Sequence, residues 1–221
     1  MNRLPAMAWR MTRQTLTLLV LFVALALPAQ AEEFSEGIDY TLIEPTLRTV
    51  DSGRAILVTE LFWYGCPHCN RLQGPLHDWV DDLPDDVRVE AIPAVFSRQW
   101  EQHARAYYTA ELLGFVDESH SAMFRAIHDE RRNLTAPDHF AEFYAEEFGA
   151  DRERVLSTFD SFGVQTKIRR AGSVSRGSGV DGVPAFIVAG KYATTLSMNG
   201  SAERLFRVLD YLVEKERQER P

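Results

Sequence analysis

The chain is 221 residues long and acidic, with 32 Asp and Glu against 24 Lys and Arg and a formal charge of −8 at pH 7. That balance repels phosphate backbones and argues against nucleic acid as a partner. Two cysteines are too few for a disulfide-stapled scaffold, and a chain of this length can bury a core without staples.

Residues 1–31 have the tripartite plan of a secretory signal. Arg3, Arg10 and Arg13 form a basic start, Leu16 to Leu27 is apolar except for Thr17, and Ala29-Gln30-Ala31 supplies an A-x-A cleavage site. The apolar run is shorter than the roughly 20 residues of a membrane span, although an uncleaved signal would act as an anchor. The expected mature chain is Glu32 to Pro221, exported and soluble. Loss of the three arginines moves its formal charge from −8 to −11.

Tyr40 to Ile43 reads as a short edge strand before Pro45, and Asp51-Ser52-Gly53 as a turn. Ala55 to Phe62 is an apolar run of the kind buried in a parallel sheet. Gly65 then turns the chain, and Pro67 occupies the first position of a helix, where a missing amide costs nothing. Cys66 therefore falls at a helix N-terminus, where free N–H groups and the macrodipole favour a thiolate. Leu72, Leu76, Trp79 and Val80 keep helical spacing across Gly74-Pro75, which predicts a kink in a continuing helix. After the charged loop from Asp81 to Asp86, Val87 to Val95 reads as the next strand, giving a β-α-β unit with parallel pairing.

From Ser97 to about Arg170 the texture is helical. Trp100, Ala104, Tyr107 and Leu112 mark one helix closed by Gly114, and Met123, Phe124 and Ile127 a second. Asp138 is the expected cap of a third, carrying Phe140, Phe143, Tyr144 and Phe148 and stopped by Gly149. Asp151 is the expected cap of a fourth, with Val155, Leu156, Phe159 and Phe162. Helical spacing assigns these aromatics to the core, with a substrate groove as the alternative. Ala171 to Gly182 is rich in Gly and Ser and is expected to be irregular. Val183 to Tyr192 then reads as a strand, a turn at Gly190 and a second strand. A last helix starts near Ser201, with Leu205, Val208, Leu209 and Leu212 on one face, and frays into the charged tail.

Cys66-Pro67-His68-Cys69 holds both cysteines. A zinc site needs two more ligands at matched spacing, and the six histidines offer no close pair. A structural disulfide closing so short a loop stabilises little. The remaining reading is a redox-active pair at a strand-to-helix junction, used for chemistry in an exported protein.

The order β-α-β, helical block, β-β-α, together with the motifs, resembles the DsbA family of exported thiol–disulfide oxidoreductases. The tetrapeptide Cys66-Pro67-His68-Cys69 matches that family's active site, and Gly182-Val183-Pro184-Ala185 its second signature, in which the proline is cis and faces the disulfide. Glu60, six residues before Cys66, matches its buried acidic residue. The resemblance implies an α/β thioredoxin fold interrupted by an inserted α-helical domain, with residues 32–96 and 171–221 as the thioredoxin-like part and 97–170 as the insert. It also implies a periplasmic monomer that donates its Cys66–Cys69 disulfide to reduced, unfolded exported proteins. No cofactor or metal is implied beyond that disulfide, and reoxidation falls to a DsbB-like quinone-linked membrane oxidase. One departure stands out: family members often carry a lysine facing the buried acid, and Val89 to Pro93 has none. Glu60 is then expected either to titrate with a raised pKa or to take backbone partners and fill space.

Within that reading His68 helps the helix N-terminus lower the pKa of Cys66. Pro184 leaves the backbone of Val183 free to pair with an extended substrate. A reductase or isomerase on the same fold, and a binder of unfolded chains working through its aromatic helices, are the competing functions.

Overall fold

Ile56–Phe62, the strand β2, is buried along all seven residues and has a strand paired on each side. The computed structural model describes residues 34–48 and 55–220; the expected signal and the Asp51-Ser52-Gly53 turn lie outside them. The short strand β1 (Thr41–Leu42) precedes β2. Helix α1 (Pro67–Asp81) and strand β3 (Val87–Pro93) follow it. The helices α2 (Arg98–Leu113), α3 (Val116–His128), α4 (Pro137–Phe148), α5 (Arg152–Phe159) and α6 (Phe162–Gly177) come next. Strands β4 (Ala185–Val188) and β5 (Tyr192–Thr195), a single turn α7 (Leu196–Asn199) and α8 (Ala202–Glu219) complete the chain. The sheet order is β1-β5-β4-β2-β3, with β2 parallel to β3 and antiparallel to β4.

A strand covered on both faces has no polar side to present, which is why β2 reads as an apolar run apart from Thr59 and Glu60. Ile56 and Val58 pack with Leu72 and Leu76 of α1 and with Leu205, Val208, Leu209 and Leu212 of α8. Leu61 and Phe62 belong to a second cluster shared with Ile92 of β3 and with Phe124, Phe140, Phe143 and Tyr144 of the helical block. Helix α1 continues through Pro75, as its apolar spacing predicts.

Four local expectations are corrected. Helix α4 starts one residue earlier than its expected cap: Ala136 is the N-cap, Pro137 takes the first position and Asp138 lies in the first turn. Asp151 does cap α5, but that helix ends at Phe159, because Ser161 accepts the Val164 N–H at 3.2 Å and starts a new helix. Phe162 accordingly opens α6 and is 79% exposed. The Gly/Ser-rich stretch after Ala171 is helical as far as Gly177. Its small side chains let α6 lie close to its neighbours: a Cβ on Gly177 would meet Leu47 at 2.6 Å. Finally, α8 holds its form to Glu219, since the buried Glu216 is gripped by Lys191 at 2.7 Å and Arg220 at 3.0 Å.

Candidate active site

The turn from β2 into α1 is what presents the cysteines. Cys66 is the N-cap of α1, and its Sγ accepts the backbone N–H of Cys69 at 3.3 Å. Pro67 stands at the first helical position, where its ring supplies the helical φ and no donor is lost. Gly65 is required by its neighbour: the Trp63 indole covers it so closely that a Cβ would lie 2.3 Å from the ring. Trp63 in turn stacks on Trp100 of α2, centroids 4.6 Å apart and planes 7° apart, and Phe96 meets Trp100 edge-on. Tyr64 is gripped by the helical block at both ends. Its hydroxyl lies 2.9 Å from His120 Nδ1, and its carbonyl accepts from His128 Nε2 at 2.8 Å.

Both cysteines are free thiols, and their environments push them apart. Cys66 is lowered to about 6, first through the neighbouring Cys69 thiol as a hydrogen-bond donor, then through the backbone N–H groups of Cys69 and His68 and the His68 charge; burial opposes these. Cys69 is pushed far up by burial and by holding its proton toward Cys66. The largest of these influences, the second thiol, depends on how closely two sulfurs approach and gives no signal in the sequence. His68 itself is exposed, with Nδ1 3.0 Å from an Arg71 guanidinium nitrogen.

The other signature residues lie beside the thiols. The Val183–Pro184 bond is cis, and the Cys66 thiol donates to the Val183 carbonyl at 3.5 Å. A groove of about 280 Å³ is lined by His68, Gly182, Val183, Pro184, Thr195 and Leu196; the last two gave no signal in the sequence. Glu60 lies in the sheet with Ala91 opposite it on β3, where the family's lysine would be looked for. It is 2% exposed, its Oε1 has no hydrogen-bond partner, and burial alone raises it to about 8.

A reactive thiol at a helix N-terminus, a buried partner thiol three residues on and a proline loop across from them, on a thioredoxin fold interrupted by helices, define a thiol–disulfide oxidoreductase. Residues 91–213 match the family model described as a DSBA-like thioredoxin domain, and the chain belongs to the DsbA family. The thiol:disulfide interchange protein DsbA of Pseudomonas aeruginosa is 36% identical over 189 residues, 86% of this chain and 89% of that protein. Its crystal structure matches with a TM-score of 0.78 over 84% of this chain and 95% of the other, at 36% identity. DsbA from Xylella fastidiosa matches with a TM-score of 0.79 over 85% and 100% of the two chains, at 34% identity.

Proposed function

We propose that the chain is an exported disulfide donor, working in the periplasm as a monomer on reduced, unfolded proteins. The observation that carries this is the split between the thiols, Cys66 low and Cys69 high. A substrate thiolate attacks the Cys66 sulfur of the oxidised pair and expels Cys69, whose raised pKa makes it take up a proton. A second substrate thiol then attacks the mixed disulfide and expels Cys66 as a thiolate, leaving the substrate oxidised and the enzyme reduced. At pH 7 a thiol of pKa about 6 is mostly thiolate. Relative to an unshifted cysteine this favours the reduced enzyme about tenfold, which is about 1.4 kcal/mol or about 30 mV. The pull runs from enzyme disulfide to substrate disulfide, the direction of an oxidant.

The roles of the remaining residues follow from their positions. His68 and Pro67 set the N-terminal turn of α1 around the thiolate. Val183, whose carbonyl already faces Cys66, offers its backbone to an extended substrate, and Pro184 closes that side without a competing donor. Main-chain pairing of this kind suits varied, unfolded clients. The exchange needs the two sulfurs and no other cofactor. Reoxidation is assigned to a DsbB-like, quinone-linked membrane oxidase, by kinship with the family.

The test is the equilibrium of Cys66–Cys69 against a glutathione redox buffer, read by thiol alkylation. A donor stays reduced until the buffer is strongly oxidising. If the pair stays oxidised in reducing buffer, the chain is a reductase instead.

A further inference from the structure

A cavity of about 590 Å³ lies among α1, β3, α2, α3 and α6, and neither the cysteines nor Val183 and Pro184 line it. Leu76, Val80, Val89 and Val116 give it apolar walls. Glu60 reaches it from β2. Four polar atoms of its lining are buried without a hydrogen-bond partner: Glu60 Oε1, the Tyr108 hydroxyl, the Gln73 amide nitrogen and Glu111 Oε2, of which only the last has a charge partner, the Lys167 ammonium at 2.8 Å. Buried polar groups are rarely left unpaired, and the volume is that of a site for a small organic molecule.

The charges around the cavity select the sign of a guest. Lys167 is already paired with Glu111 at 2.8 Å, and Arg170 with Glu90 at 2.9 Å. His77 of α1 is paired with Asp81 at 3.2 Å. His120 is kept neutral by burial, which lowers it to about 4. Among the described residues this leaves the carboxyls of Glu60 and Asp117 with no cation beside them. The Tyr107 and His120 rings, 5.6 Å apart and edge-to-face, add aromatic wall suited to a cation.

We propose that this cavity binds a small organic cation, a primary ammonium on an apolar aromatic body, with Glu60 as its buried counter-ion. The ammonium donates to Glu60 Oε1 and to the Tyr108 oxygen, and the body lies against Leu76, Val80 and Val116. Glu60 must give up its proton to receive the charge. Its folded pKa of about 8 means that binding at pH 7 releases close to one proton. The other titratable or charged groups facing the cavity are His77, Glu90, Tyr107, Tyr108, Glu111, Asp117, His120, Lys167 and Arg170. Burial lowers His120 and raises both tyrosines, which keeps those three neutral at pH 7.

The experiment is calorimetric titration of the reduced protein with benzylammonium at pH 7, in phosphate and in Tris, with benzyl alcohol as the uncharged comparator. One benzylammonium binds per chain, the difference in heat between buffers corresponds to release of close to one proton, and the alcohol binds at least tenfold more weakly. Glu60→Gln removes the proton release and weakens benzylammonium at least tenfold. Val116→Trp, which fills the cavity from its wall, weakens both compounds while leaving the near-ultraviolet dichroism of a folded protein. The proposal is overturned if millimolar benzylammonium gives no heat, so that the cavity holds only water. It is equally overturned if the alcohol binds as well as the cation, or if affinity survives either substitution.

Discussion

Glu60 sits between Ala91 of β3 and Phe186 of β4 in the sheet register, and neither neighbour offers it a charge. Its carboxyl is near 4.5 when unfolded and is raised to about 8 by burial. Below pH 4.5 both states are protonated and the residue costs nothing through ionisation. Between pH 4.5 and 8 the unfolded chain ionises while the folded one does not, so stability falls as pH rises, by about 3 kcal/mol at pH 7. Glu60→Gln removes that dependence. The variant is expected to gain stability over the parent by about 4 kcal/mol in urea unfolding at pH 8, and to gain little at pH 4.5. An equal gain at both pH values would mean that Glu60 is not the titrating group. The sequence exposed this residue because a carboxylate inside an apolar strand is conspicuous, and the missing lysine was legible in Val89 to Pro93. The influence of the Cys69 thiol on Cys66 was not legible, since it depends on where two sulfurs lie in space. Nor were His120 and His128, which reach Tyr64 from 56 and 64 residues along the chain.

Helices and strands with strong periodicity were readable one by one: β2, α1, α2, α5 and α8 start where their caps and apolar spacing put them. Helix α6 was half missed, because glycine and serine are poor helix formers in isolation and tertiary bonds decide the outcome. Ser175 is fully buried in that half. Its hydroxyl donates to the Ala171 carbonyl at 2.8 Å and accepts the Val95 N–H at 3.1 Å, tying α6 to the chain just past β3. Ser175→Ala leaves the Val95 donor without its partner in a partly buried place. The expected loss is about 1–2 kcal/mol in thermal or urea unfolding, with amide exchange at Val95 accelerated relative to the rest of the sheet. Normal protection of Val95 in that variant would show that the serine does not anchor the helix.

The sheet and the helical block share one apolar cluster, and that decides how the molecule comes apart. Leu61, Phe62 and Ile92 of the sheet touch the same core as Phe124, Phe140, Tyr144 and Phe159 of the helices. Phe62 and Tyr64 both have ring contacts with Tyr107, His120 and Phe124. If the helices detached first, the apolar face of β2 would meet water, at a cost of about 25 cal/mol for each Å² exposed. Partial unfolding is therefore disfavoured, and the chain is expected to unfold in one step although its sequence reads as a fold with an insertion. The probes for this are already distributed. Trp63 and Trp100 stack where the active-site turn meets the helical block, whereas Trp79 stacks on Phe206 between α1 and α8. Far-ultraviolet dichroism reports on all the helices at once. In urea at pH 7, tryptophan fluorescence and dichroism should trace a single coincident transition. A helical signal lost at lower urea than the fluorescence of Trp79 would mean that the block unfolds by itself. The shared cluster would then be a contact between two independently folding parts. A coincident transition makes the helical block part of the support of the active-site turn, through the same rings that hold Trp63 and Tyr64 behind Cys66.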